Sequence, residues 1–140
     1  MRFVRAIDID APQQRVWDVL TDLEGWPQRI DTVETIEILT PRPVAVGSRV
    51  KLKQPKLSEG VWEVTIWDSP TRFEWTQKTS ALSSVADHRV EALGEGRTRL
   101  TLILDMRGLL VPMVALFYRG LANDYLTRET QGMKRAAESV

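Results

Sequence analysis

Apolar and polar residues alternate along the first ten residues of the chain. Phe3, Ile7 and Ile9 fall on one face of an extended segment, and Asp8 and Asp10 lie between or beyond them. A period of two is the pattern of a strand with one buried face. The chain is therefore predicted to open with a half-buried β-strand.

A first helix is predicted to begin near Pro12. Proline suits the first helical turn, because the N–H that it lacks has no partner there in any case. Apolar residues then recur at spacings of three and four over residues 16–20, which gives the helix one core-facing side. Gly25 and Pro27 end this run.

The rest of the chain predicts six more strands and a long terminal helix. The strands are expected at residues 33–39, 49–53, 60–68, 72–79, 82–93 and 97–106, where runs of strand-forming residues are separated by turn formers. The helix should begin near Leu109 or Leu110 and run toward Glu138. Strands followed by one helix indicate an α+β class, and the length of 140 residues fits a single domain, residues 1–140.

Alternation also predicts which residues face the helix. The inward set of the later strands is Trp62, Val64, Ile66, Phe73, Trp75, His88, Val90, Leu100, Leu102, Leu104 and Met106. On the helix, one stripe has helical spacing: Leu110, Val114, Phe117, Leu121 and Tyr125. Arg128 lies close to this stripe, so its guanidinium either reaches a pocket or extends to the rim.

A short motif follows the first predicted strand. Its residues are Ala11, Pro12, Val16, Trp17, Leu20, Asp22, Trp26 and Pro27. This motif resembles that of the START-like (SRPBCC) superfamily, in particular its polyketide cyclase/dehydrase and lipid-transport branch, in which a first strand runs into Ala-Pro, then Val-Trp, Leu-x-Asp and Trp-Pro. The resemblance covers nearly the whole chain. It implies a helix-grip fold: a seven-stranded curved antiparallel sheet wrapped around a long C-terminal helix, with two short helices after the first strand.

This resemblance and the alternation together predict a ligand cavity between the sheet and the helix. Its expected lining is Trp62, Phe73, Trp75, His88, Val90, Leu102, Leu104, Met106, Phe117, Leu121, Tyr125 and Arg128. Large apolar side chains with a few polar groups among them are the usual lining of small-molecule sites. Plain core packing is the alternative interpretation of the same residues.

His88 is the one candidate for a general acid or base, because its ordinary titration lies near neutral pH. A lone histidine on an apolar face is more often a hydrogen-bonded core residue. No nucleophile triad, phosphate loop or carboxylate pair accompanies it in the sequence. The sequence therefore assigns no catalytic residue beyond this candidate.

Composition excludes several classes of function. Lysine plus arginine equals aspartate plus glutamate at 19 each, so no global field favours nucleic-acid binding. The chain has no cysteine and a single histidine, which excludes disulfides and argues against a zinc site. No cofactor is expected. The N-terminus lacks a secretory pattern, so a cytoplasmic location is expected.

The segment 109–118 is apolar on every side, yet too short to span a bilayer, which takes about 20 residues. Three interpretations stand: a helix start buried on both sides, a mobile lid over the cavity mouth with Gly108 as its hinge, or a patch for a membrane surface or for a partner such as the second subunit of a homodimer.

Three classes of function follow. The first is binding or transport of a small hydrophobic ligand, such as a lipid or an aromatic, polyketide-like compound. The second is a polyketide cyclase or dehydratase-type enzyme that uses the same cavity. The third is a regulatory protein that binds a partner through the apolar segment. The first is preferred, because the residues offer a cavity more clearly than they offer catalytic machinery.

Overall fold

Seven antiparallel strands form one sheet in the computed structural model, which describes residues 1–139. The strands are β1 (Arg2–Ile9), β2 (Thr35–Ile38), β3 (Arg49–Lys53), β4 (Gly60–Asp68), β5 (Arg72–Lys78), β6 (Ser83–Gly94) and β7 (Arg97–Arg107). Their order in the sheet is β1-β7-β6-β5-β4-β3-β2. Every strand except β1 therefore pairs with its sequence neighbour, and β1 closes the far edge against β7.

Three helices cover one face of the sheet. They are α1 (Gln13–Thr21), α2 (Trp26–Arg29), which follows the short 3₁₀ turn Leu23–Gly25, and α3 (Val111–Glu138). The predicted class, the seven strands and the two short helices after β1 are confirmed. The second predicted strand is shorter than expected, since Val33 is buried but lies before β2.

A β-bulge in β4 changes the predicted inner face of that strand. The pairing with β5 shifts between Val64 and Ile66, so that Trp67 lies opposite Phe73. A bulge adds one residue to one strand and reverses the alternation beyond it. The expectation that Ile66 faces the core is therefore wrong, and Trp67 takes that role.

Helix α1 fills one end of the concave face. The Trp17 ring packs edge-on against Trp67 at a centroid distance of 5.4 Å and against Phe73 at 6.2 Å. The side-chain amide of Gln13 donates to the carbonyl of Val90 at 3.0 Å. These contacts make that end of the sheet a filled core.

Helix α3 is anchored by its second half. Its buried residues run from Leu121 to Ala137, whereas the first ten residues carry most of the exposed apolar surface. The exposed fractions of Met113 and Leu116 reach 80% and 85%, and Leu109 just before the helix is 94% exposed. The expectation that this helix start is buried on both sides is wrong, because the helix begins beyond the cover of the sheet. The lid and the interaction patch stay as predictions.

No helix within residues 1–139 combines the length and the apolar character needed to cross a bilayer.

Gly132 lets α3 come close to the segment that follows α2. A Cβ atom there would lie 2.3 Å from the Ile30 side chain and 2.6 Å from the Arg29 carbonyl oxygen. By contrast, a Cβ atom on Gly120 of the same helix would meet nothing within 4 Å. The closest helix contact in this part of the fold thus depends on the absence of one methyl group.

We expect Gly132→Ala to destabilise the protein although alanine is the better helix former. The new methyl group must displace backbone, which costs about 1–3 kcal/mol as overpacking does. Gly120→Ala is the matched control and should stabilise by up to about 1 kcal/mol, the ordinary gain from helix propensity. Urea denaturation of both variants measures the two changes, and equal effects would contradict the close-approach argument.

Candidate functional site

A cavity of about 350 Å³ lies between the concave face of the sheet and the middle of α3. Sites for small molecules begin at about this size. The helix contributes Tyr118, Leu121, Ala122, Tyr125, Leu126 and Glu129. The opposite walls come from β3 to β7, from the loop 54–58 and from Trp26 of α2. The predicted cavity therefore exists, and α1 stays outside it.

Eight of the twelve expected residues line this cavity. They are Trp62, Trp75, His88, Leu102, Leu104, Met106, Leu121 and Tyr125. All of those on strands have the inward register that alternation predicts. The sheet part of the lining was thus accessible to a period-two argument.

Phe73 and Val90 are inward-facing but do not reach the cavity. Both are almost completely buried, with exposed fractions of 0% and 2%. Phe73 lies under Trp17, and Val90 lies at the end of β6 that α1 covers. Alternation predicts the face of a strand but not which helix covers each part of that face, so these two residues belong to the core.

Phe117 and Arg128 lie outside the cavity for different reasons. Phe117 is 53% exposed, because the seam of α3 that faces the sheet runs through Tyr118 instead. The Arg128 guanidinium forms ion pairs with Asp31 and with Asp124, each at 3.0 Å. Of the two positions considered for Arg128, the structure has the one at the rim.

Three tryptophans form an aromatic wall. The Trp75 ring lies 5.4 Å from that of Trp26 and 5.8 Å from that of Trp62, centroid to centroid. The indole N–H of Trp26 donates to the carbonyl of Leu20 at 2.9 Å. Within residues 1–139 the indole N–H groups of Trp62 and Trp75 have no such protein partner, which leaves them available to a ligand or to water.

His88 is held as a neutral imidazole. Its ring stacks on Phe73 at a centroid distance of 3.9 Å, and its Nδ1 lies 3.2 Å from the Phe73 carbonyl oxygen. A carbonyl only accepts, so Nδ1 carries the proton and Nε2 is left as an acceptor. Burial lowers the pKa of this imidazole to about 4. The side chain is consequently uncharged at neutral pH.

Glu129 is the functional candidate that the sequence argument missed. Its Oε1 accepts hydrogen bonds from the Thr32 hydroxyl at 3.2 Å and from the Gln54 side-chain amide at 3.3 Å. Burial raises the pKa of the Glu129 carboxyl to about 7, against the lowering effect of these two bonds. A carboxyl that titrates near neutrality in a cavity is typical of a functional site.

The spacing along α3 contained the information needed to find Glu129. It follows Tyr125 by four residues, which keeps both side chains on one helix face. The predicted stripe ended at Tyr125, one turn too early.

The cavity wall is nearly free of compensating charge. No lysine or arginine is among the lining residues, and Asp87, the other lining acid, is paired with Arg72 and Arg89 at 2.9 Å each. Within residues 1–139, no three histidine, aspartate or glutamate side chains cluster as metal ligands. The cavity is therefore lined by aromatic and aliphatic side chains, neutral polar groups and one carboxyl, that of Glu129, which has no arginine or lysine partner among the described residues.

Comparison with known proteins agrees with this geometry. The family model for polyketide cyclase/dehydrase and lipid transport matches residues 1–138. The chain therefore belongs to the polyketide cyclase/dehydrase and lipid transport family. Comparison with curated sequences gives no significant match.

Solved structures share the fold at low sequence identity. The Zhui aromatase/cyclase from Streptomyces sp. R1128 has a TM-score of 0.82 at 18% identity, over 99% of this chain and 93% of its own. A START superfamily protein from Mycobacterium smegmatis has 0.78 at 18%, over 98% and 97%. Hypothetical protein jhp0584 from Helicobacter pylori has 0.85 at 14%, over 98% and 88%. These likenesses establish a START-like helix-grip fold.

Glu129 and His88 should act oppositely on the pH dependence of stability. Folded Glu129 holds a proton that the unfolded chain releases above its ordinary pKa of 4.5, so its contribution to stability falls as pH rises toward 7. Below its ordinary pKa of 6.5, His88 binds a proton in the unfolded chain but stays unprotonated in the folded protein. Its contribution to the stability of the fold therefore falls as pH drops toward 4. The two effects offset each other between these limits.

Glu129→Gln should remove the contribution of Glu129 to the pH dependence of stability and leave that of His88. We expect the variant to gain stability relative to wild type as pH rises from about 4.5 to about 7, by up to about 3 kcal/mol. His88→Gln should gain stability relative to wild type as pH falls from about 6.5 to about 4. Urea denaturation across this range measures both differences. A difference that stays constant with pH would contradict the assignment for that residue.

Proposed function

We propose that this protein binds a small apolar ligand with an aromatic or polyketide-like ring system in the cavity under α3. The observation that carries the proposal is an open volume of about 350 Å³ walled by Trp26, Trp62 and Trp75. A filled core would leave no such space, since protein interiors are packed as densely as organic crystals.

Burial of apolar surface supplies the driving force for such a ligand. A two-ring compound that buries about 300 Å² gains roughly 7 kcal/mol at about 25 cal/mol per Å², before the loss of its free motion is subtracted. The free indole N–H groups of Trp62 and Trp75, and Nε2 of His88, can orient polar substituents.

A cyclase or dehydratase-type enzyme is the second candidate. Family membership and the fold of the aromatase/cyclase support it. General acid or base catalysis works best when the pKa of the group lies near the working pH. Glu129, with its pKa of about 7, meets this criterion better than His88 at about 4. Binding is preferred because the cavity needs no further group for it.

The enzyme candidate has its own test. Turnover of a polyketone substrate that is lost in Glu129→Gln, with binding of the substrate retained, would support catalysis. Tight binding without turnover in wild type would leave the carrier role in place.

Cavity volume should determine affinity for a neutral aromatic probe. Ala86 lines the cavity on β6, so Ala86→Leu adds bulk where the ligand would lie. We expect at least about a tenfold loss of affinity for 1-naphthalenemethanol, the factor that corresponds to about 1.4 kcal/mol. Quenching of tryptophan fluorescence measures the binding.

The matched control is Ala92→Leu, at an exposed position on the same strand outside the cavity. Its affinity should equal that of wild type. Equal losses in both variants, or no binding by wild type, would contradict the proposed site. Native mass spectrometry of protein purified gently from its host complements this test. A clean apo mass in that measurement would place partner binding through segment 109–118 on an equal footing with ligand binding.

A further inference from the structure

Glu129 presents an acidic group to the cavity without a cation beside it. Asp87 is neutralised by two arginines, whereas no basic side chain lines the cavity next to Glu129. The pKa of Glu129 is shifted by burial and by two neutral hydrogen-bond donors, with no contribution from a charged neighbour. Ionisation of this carboxyl therefore creates a partly buried charge that the described part of the chain leaves without a cationic partner.

The hydrogen bonds to Glu129 involve one of its two carboxyl oxygens. Both Thr32 and Gln54 donate to Oε1. Within residues 1–139, Oε2 accepts no hydrogen bond from another side chain or from the backbone. An ionised carboxylate accepts about four hydrogen bonds, so this group has capacity for a further donor.

The cations next in sequence to Glu129 and to its partner Gln54 are engaged elsewhere. Arg128 is paired with Asp31 and Asp124 on the outer side of α3. The Lys53 ammonium donates to the carbonyls of Gln54 and Leu57 at 2.7 and 2.6 Å. Neither is among the residues that line the cavity. A cation that pairs with Glu129 must therefore arrive with the ligand.

We infer that the ligand of this cavity is a hydrophobic amine, whose ammonium group binds Glu129 while its rings lie against the tryptophan wall. This inference rests on the proposed function and names the chemical class of the ligand. A charge-assisted hydrogen bond from an ammonium to a desolvated carboxylate is stronger than one between neutral groups. Tryptophan faces add a further attraction for a nearby cation. Pairing also removes the penalty of the isolated buried charge.

The pH dependence of binding has a definite sign. The other titratable groups that line the cavity are Asp87 and His88 on β6 and Tyr118 and Tyr125 on α3. Asp87 is paired with Arg72 and Arg89, and Asp31, Arg128, Lys53 and Glu34 are not among the lining residues. His88 is neutral at and above neutral pH, and burial raises the pKa of Tyr125 above its ordinary value. The pKa of Glu129 is about 7, so this carboxyl changes charge near neutral pH. Affinity for an amine should rise as Glu129 ionises.

A pair of probes of nearly equal shape tests the inference. 1-Naphthalenemethylamine carries an ammonium group where 1-naphthalenemethanol carries a hydroxyl. We expect wild type at about pH 8 to bind the amine at least about ten times more tightly than the alcohol, with a smaller ratio at about pH 5.5. Glu129→Gln should reduce the ratio to within about twofold at both pH values. Isothermal titration calorimetry measures all of these affinities.

Glu95→Gln is the control for the loss of one negative charge, since Glu95 is exposed in the turn between β6 and β7. It should keep the wild-type ratio. If Glu129→Gln does not fold, the ratio and its pH dependence in wild type still decide the question.

The outcomes separate the two proposals. Equal binding of amine and alcohol by wild type would overturn the ammonium site and leave the aromatic cavity standing. A ratio of amine to alcohol affinity that stays the same between about pH 8 and about pH 5.5 would also overturn it, because protonation of Glu129 would then have no effect on amine binding. Binding of neither probe would contradict the proposed function itself.

Discussion

The close contact of α3 with the C-terminal end of α2 positions the long helix over the sheet. Gly132 allows the helix backbone to approach Arg29 and Ile30, where a side chain would collide. The second half of α3 is held there as part of the core, while the cavity lies under the middle of the helix and its first turns extend beyond the sheet. The close contact at Gly132 thus anchors the half of the helix that lies next to the cavity.

The wall of the cavity stabilises the neutral forms of two of its titratable side chains, His88 and Glu129. Burial shifts the pKa of His88 down and that of Glu129 up, so that each residue is moved toward its neutral form. Both effects have one cause, the low polarity of a wall made largely of tryptophan and aliphatic side chains. The proposed amine ligand would stabilise the ionised form of Glu129, while its rings would lie against the apolar part of the same wall.

Particular residues show where sequence reasoning succeeded. Strand alternation placed Trp62, Trp75, His88 and Leu102 on the face that lines the cavity, because a strand has an exact period of two and one buried side. It failed where other elements intervene. Phe73 and Val90 lie on the same face but under α1, and the bulge in β4 turned Trp67 inward instead of Ile66. Phe117 and Glu129 show the equivalent error on the helix, where the predicted stripe was shifted and ended one turn too early.

The sequence by itself determined the family, the α+β class, the order of elements and the inner face of most strands, because these depend on local periodicity and on a short N-terminal motif. Only the tertiary structure decided which part of the concave face is filled and which part is open, because that depends on where α1 and α3 rest. It also decided the chemistry of the site. In the sequence Glu129 is one polar residue of a helical pattern, and only the fold places it partly buried in the cavity, beside Thr32 and Gln54.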